Sequence, residues 1–292
     1  MAVSKKCIIG VILFCVLGII IGSFADFQIN VALANKTVLG NLFATYGCYF
    51  SYCLYPAAGV CLYKGILKKG EQYKRFALLL LIAAYFMAVY YTNNYAGSKF
   101  KAALGYFAGK SSPWLSVLGY LIIVISFVWV PFVCMKIIDD ENSLKLIAVG
   151  ATILIAGIIS DNVNLWLKQV ASRPRFKYLI TLKEPLSEFR QWWQMIPYLA
   201  GSNDNFKSWP SGNMTIACMM FALPTLADVT KNRSNAKNII CFTIACLFVL
   251  LYGYNRIHMT NHFLSDVCFG TLITYLIFLI VSKSFEKIWK PL

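Results

Sequence analysis

The sequence predicts an all-α fold, a polytopic membrane helical bundle of about eight transmembrane helices. Six of these form a core and two precede it at the N-terminus. Three observations predict this class. The 292 residues are 59% hydrophobic and only 13% charged, against about a quarter charged in a globular chain. Apolar runs of membrane-spanning length recur along the whole chain. Those runs are continuous rather than alternating, which selects helices over a closed barrel.

The elements follow in order. The run 7–25 comes after MAVSKK and resembles a signal peptide. It lacks a small-residue cleavage site and is long, so it reads as a retained first span. The second span, 38–63, contains Pro56, where a kink is expected. The third, 76–94, ends among Tyr90, Tyr91 and Tyr95, side chains suited to an interface belt. Further spans are expected at 114–137, 145–167, 210–229, 238–254 and 262–282. Residues 1–75 therefore read as an N-terminal transmembrane pair. Residues 76–292 read as a transmembrane core carrying one sizeable extramembrane segment, 168–209. That segment holds Trp192, Trp193, Tyr198 and Trp209. It reads either as an interfacial amphipathic turn or as a lid beside a site.

The net charge of +15 does not indicate nucleic acid, because the cations sit in loops that flank spans. With the N-terminus inside, the inner segments hold 15 Lys and Arg and the outer segments 12, seven of them in 168–209. This imbalance places both termini in the cytoplasm and the long segment outside. The ten cysteines lie in or near apolar runs and form neither a CxxC pair nor a cluster with the two histidines. They read as small buried hydrophobes, not as disulfide partners or metal ligands.

Three polar stretches interrupt the apolar chain: KQVASRPRF (Lys168 to Phe176), SWPSGN (Ser208 to Asn213) and NRIHMTNHFLSD (Asn255 to Asp266). Lys168 and Arg175 bracket a turn fixed by Pro174, and converging cations neutralise a multiply charged oxyanion. Ser211 and Gly212 open a span, where backbone N–H groups form an anion site and glycine permits close approach. His262 and Asp266 are spaced i, i+4 at the top of the last span, with Arg256 shortly before. Asp266 is expected to accept one ring proton of His262 and leave the other nitrogen free to attack. Asp161 and Asn164 lie seven and four residues before Lys168 on its helical face, and read either as groups that position the ammonium or as a polar helix end near water.

Together the stretches resemble the signature of the type 2 phosphatidic acid phosphatase superfamily of integral-membrane lipid phosphatases. That pattern is K-x6-R-P, then P-S-G-H, then S-R-x5-H-x3-D. Lys168 and Arg175 match the first part, Pro210, Ser211 and Gly212 the second, and Arg256, His262 and Asp266 the third. The resemblance spans roughly 76–282. It implies that His262 attacks phosphorus and forms a phosphohistidine. It also implies that Lys168, Arg175, Arg256, Ser211 and the Gly212 backbone hold the phosphoryl oxygens, with no metal or other cofactor. The implied partners are membrane lipids and a lipid phosphate or diphosphate substrate, a bacterial polyprenyl diphosphate of cell-wall synthesis (the undecaprenyl carrier) first among them. The implied place is the outer face of a cytoplasmic membrane.

Three positions depart from the pattern. Phe176 replaces Pro and Asn255 replaces Ser, both tolerable. Asn213 replaces the histidine that protonates the leaving group in the family, and an amide cannot act as a general acid at ordinary pH. Four readings of Asn213 stand open: an engineered inactive variant, a natural enzyme whose leaving group needs little protonation, rescue by His258, or a lipid-phosphate binding or transport protein without turnover.

Overall fold

The structure is a computed structural model and describes residues 3–94, 113–196 and 203–289. Tyr95 and Tyr198, named above, lie outside the described residues. The first helix, α1 (Lys5–Leu33), begins at Ser4, whose hydroxyl accepts from the Cys7 N–H as an N-cap. Its 29 residues rise about 43 Å, longer than the ~30 Å of a bilayer's hydrocarbon. One face is exposed and apolar, with Leu13, Phe14, Leu17, Ile20, Ile21 and Phe24. The buried stripe is Cys15, Gly18, Gly22, Asp26 and Asn30.

The expected second span is divided into α2 (Val38–Tyr46), α3 (Tyr49–Tyr52) and α4 (Leu54–Leu67). Pro56 does not kink a continuous helix as expected. It lies in the first turn of α4, where its missing N–H costs no helical hydrogen bond. Next come α5 (Lys74–Thr92), the pair α6 (Pro113–Ser126) and α7 (Trp129–Ile137), α8 (Ser143–Ala171) and the single turn α9 (Phe176–Leu179). The sixth expected span is again interrupted: α10 (Gly212–Ala217), a 3-10 segment (Cys218–Ala222) and α11 (Leu223–Ala227), which carries Pro224 in its first turn. The chain ends with α12 (Asn235–His258) and α13 (Leu264–Trp289).

Among the described residues, six helical segments are thus long and apolar enough to cross a membrane, and two expected spans are broken ones. No β-strand occurs among the described residues, only an isolated bridge between Ile138 and Thr230. The chain is an all-α polytopic membrane bundle.

Packing runs through α4, α8 and α13. α4 lies against α5 and α8, α8 against α13, and α13 against α1. Leu146, Ile153, Phe221 and Tyr252 are buried between them. The close approach of α1 to α13 depends on glycine: a Cβ on Gly22 would stand 2.8 Å from the backbone nitrogen of Ser265. At one end of the bundle, Lys145 bridges Asp140 at 3.0 Å and Asp228 at 2.9 Å, and Arg233 reaches Asp140 at 2.8 Å. At the other end, the C-terminal ends of α1, α8 and α12 meet the starts of α10 and α13. All three polar stretches lie there.

Candidate active site

α8 stops at Ser172, which adopts the left-handed conformation (φ 43°), with its N–H bonded to the Lys168 carbonyl. Pro174 then keeps the chain extended. Lys168, in the last turn, is buried and donates to the carbonyls of Lys207 (2.9 Å) and Pro210 (2.6 Å). Asn164 donates to the same Pro210 carbonyl at 3.3 Å, so it and Lys168 jointly hold the loop that leads into α10. Asp161 is half-buried a turn earlier, and its charge bears on Lys168 from a distance.

Arg175 donates through Nε to the Asp204 backbone carbonyl at 2.9 Å and through Nη2 to its carboxylate at 2.7 Å, and Lys177 reaches the same carboxylate at 3.0 Å. Burial acts to raise the Asp204 carboxyl, but Arg175 and Lys177 outweigh it and hold it below the usual carboxylate range. Sequence reasoning passed over Asp204, which lies in the long segment with no motif around it.

Ser211 is buried and caps α10, its hydroxyl accepting from the Met214 N–H at 3.4 Å. Its own N–H donates to the Asp266 carbonyl at 3.0 Å, which ties the second stretch to the third. Gly212 follows, buried, as the first residue of α10. Gly270 lets α13 pass this turn, since a Cβ there would stand 2.6 Å from the Ser211 oxygen. Asn213 donates through Nδ2 to the Tyr252 hydroxyl at 3.2 Å.

His262 lies in the loop between α12 and α13 and is fully buried. Its Nδ1 is 2.7 Å from the Ser208 carbonyl and 3.9 Å from Asp266 Oδ2. A carbonyl only accepts, so Nδ1 carries the proton and Nε2 presents a lone pair. The Ser208 backbone, not the expected Asp266 carboxylate, is therefore the direct partner of the ring. Asp266 instead holds what surrounds the ring. Its Oδ2 accepts from the Ser208 hydroxyl (2.6 Å) and the Phe263 N–H (2.8 Å), and its Oδ1 accepts from Arg173 (2.6 Å).

Burial, reinforced by the positive charge of Arg175, Lys168 and Arg256, holds the His262 imidazole well below its ordinary range, against the opposing Ser208 carbonyl. The ring is therefore neutral at pH 7. Arg256 is itself buried, and among the described residues its Nε and Nη1 have no hydrogen-bond partner, nor has His262 Nε2. Leaving such donors unpaired in a protein interior is costly. His258 is placed differently: its Nδ1 lies 2.9 Å from the Leu33 carbonyl at the end of α1, and its ring stacks on Tyr254. The long segment packs inward through Trp192 and Trp209, both against Phe269 of α13.

Fold and site define an integral-membrane protein with a neutral histidine set among buried cations. A family model for the PAP2 superfamily matches residues 145–290, half of the chain, and the chain belongs to that superfamily. Its members are phosphatases acting on phosphate esters. No curated protein and no solved structure matches the chain.

Proposed function

We propose that this protein is a membrane phosphatase that removes phosphate from a lipid phosphate or a polyprenyl diphosphate through a phosphohistidine at His262. The observation that carries the proposal is the group of buried, unpartnered atoms: His262 Nε2 with Arg256 Nε and Nη1. Both Arg256 atoms are N–H donors of one guanidinium, suited to charge-assisted hydrogen bonds with phosphoryl oxygens. Lys168 has three donors, two of them on backbone carbonyls, so one remains for a third oxygen. Arg175, Ser211 and the Gly212 N–H complete the anion site.

In the first step Nε2 attacks phosphorus, an N–P bond forms and the P–O bond to the leaving group breaks. In the second, water hydrolyses the phosphohistidine and restores His262. Asn213 has no proton to give in the first step and cannot take one from water in the second. A diphosphate suffers less from this in the first step, because its leaving phosphate has a second pKa of about 6, whereas an alcohol leaves as a costly alkoxide.

An apolar cavity of about 620 Å³ lies between α1, α12 and α13. Its wall includes Met214, Ile257 and Leu264, which directly follow Asn213, Arg256 and Phe263 in the chain. A hydrocarbon tail beside the phosphate site fits this placement and favours a lipid substrate, with an undecaprenyl-type diphosphate of the bacterial cytoplasmic membrane first. On the charge distribution, both termini are cytoplasmic and the site faces outward.

Asn213 favours a second reading, a lipid-phosphate binding or transport protein built on the same anion pocket. Phosphate release by the purified protein and by Asn213→His, with polyprenyl diphosphate and phosphatidic acid as substrates, separates the two. Strong release by Asn213→His supports the phosphatase. Binding without release by either form supports the second reading.

A further inference from the structure

The first helix precedes the family-matched residues, yet its C-terminal half carries a stripe of polar and aromatic contacts that ends in the site. Ser23, Asp26, Phe27, Asn30 and Leu33 recur at helical spacing. Ser23 accepts from Trp192 Nε1 at 2.9 Å, and Phe27 packs edge-on against Phe176 and Phe189. Asn30 donates to the backbone carbonyl of His262 itself at 3.1 Å. Asp26 is buried, its Oδ1 accepting from the Ser265 N–H at 3.0 Å and its Oδ2 from the Ser265 hydroxyl.

Asp26 Oδ2 also pairs with Arg173 Nη2 at 2.9 Å, while Arg173 Nη1 pairs with Asp266 at 2.6 Å. The Arg173 guanidinium is buried, lies 4.3 Å from the centroid of the Phe263 ring and donates through Nε to the Arg190 carbonyl. One arginine thus bridges two buried carboxylates, one from α1 and one from α13. The second carboxylate holds both Ser208 and Phe263, the residue bonded to the ring and the residue next to it. A carboxylate inside an apolar span is expensive and is retained where it has a partner and a task.

We propose that Asp26 is a positioning residue: through Arg173 and Asp266 it fixes the Ser208 carbonyl against His262 Nδ1, so that Nε2 is held as the nucleophile. This rests on the phosphohistidine reading above. Asp26 touches no reacting atom, and the phosphate-binding cations Lys168, Arg175 and Arg256 are not among its partners. Loosening it should therefore slow the chemical step and leave anion binding intact, since small displacements of a reacting group cost large factors in rate.

The test uses the full chain in nanodiscs, with Asp26→Asn and Asp26→Glu each made in the native sequence and in the Asn213→His form. In the Asn213→His form, Asp26→Asn is expected to lower kcat at least tenfold while KM and the Kd for inorganic orthovanadate stay within twofold. Imidazole ¹⁵N spectra of the native chain, which has two histidines, are expected to show one fixed His262 tautomer with Nδ1 protonated. Asp26→Asn is expected to convert that pattern to an average of two tautomers.

An unchanged kcat together with an unchanged His262 spectrum in folded Asp26→Asn overturns the proposal. So does a parallel loss of kcat and vanadate binding with the tautomer still fixed, because that is what a purely structural contact would give. If neither the native chain nor the Asn213→His form releases phosphate, the phosphatase reading fails and the His262 spectrum alone decides whether Asp26 orients the ring. Should Asp26→Asn not accumulate, Asp26→Glu, which keeps the charge but shifts it by a methylene, is judged by the same outcomes.

Discussion

At the scale of single residues, His262 and Asn213 pull in opposite directions. His262 has the form the proposed attack requires: Nδ1–H is committed to the Ser208 carbonyl, Nε2 has no partner among the described residues, and burial with three cations keeps the ring neutral. Its unprotonated form therefore persists below pH 6.5, the ordinary imidazole value, so the acid limb of a kcat/KM profile is predicted below pH 6.5. The sign for stability is fixed by the same shift. The folded protein binds fewer protons here than the unfolded chain, so this contribution is complete above about 6.5 and is lost as pH falls from there towards the folded value. Thermal melts at pH 7.5 and 5 check it, with the lower midpoint expected at pH 5. Asn213 is the deficit, and Asn213→His is predicted to raise phosphate release from an alcohol-leaving substrate by about 10²- to 10⁴-fold. The gain with a diphosphate should be smaller. The sequence pattern made His262, Arg256 and Lys168 legible, because their spacing is local to each stretch. It misassigned the direct partner of the ring, because a backbone carbonyl 54 residues away leaves no sequence signal.

At the scale of elements, α1 is more than an anchor. Its buried stripe runs Gly18, Gly22, Asp26, Asn30, a four-residue spacing that lets α13 close in and then meets it with polar groups. The apolar run was legible in the sequence. The partner of the stripe was not, since helix pairing is a tertiary choice. The aspartate directly after the run was nevertheless a visible signal. Filling the contact tests the packing: Gly22→Leu, whose Cβ alone would stand 2.8 Å from the Ser265 nitrogen, is predicted to destabilise the protein by about 1–3 kcal/mol. A lowered melting temperature in detergent is the readout. The two broken spans were invisible to hydropathy, which counts apolar length but not the Pro56 and Pro224 positions that open new first turns.

At the scale of the whole molecule, the ends of the bundle differ in chemistry. One end collects the histidine, the buried arginines and the folded-in aromatic segment. The other collects the Asp140, Lys145, Asp228 and Arg233 ion pairs, the start of α1 and the end of α13. The Lys and Arg imbalance predicts that the second end is cytoplasmic. A C-terminal green fluorescent protein fusion should then fluoresce, and alkaline phosphatase at the same position should stay inactive. The converse pattern would place the site inside. The shared end of the three stretches was legible from span counting alone, because each stretch sits at a span boundary of matching parity.

In the proposed reaction His262 carries the phosphoryl group. Rapid mixing of the native and Asn213→His proteins with a polyprenyl diphosphate, followed by alkaline quench and mass spectrometry of the 259–263 loop peptide, tests it most directly. Phosphate on His262, longer-lived in the native protein because Asn213 cannot activate the hydrolytic water, is the predicted result. Phosphate on a different residue, or release of phosphate with His262 never modified in either form, would contradict it.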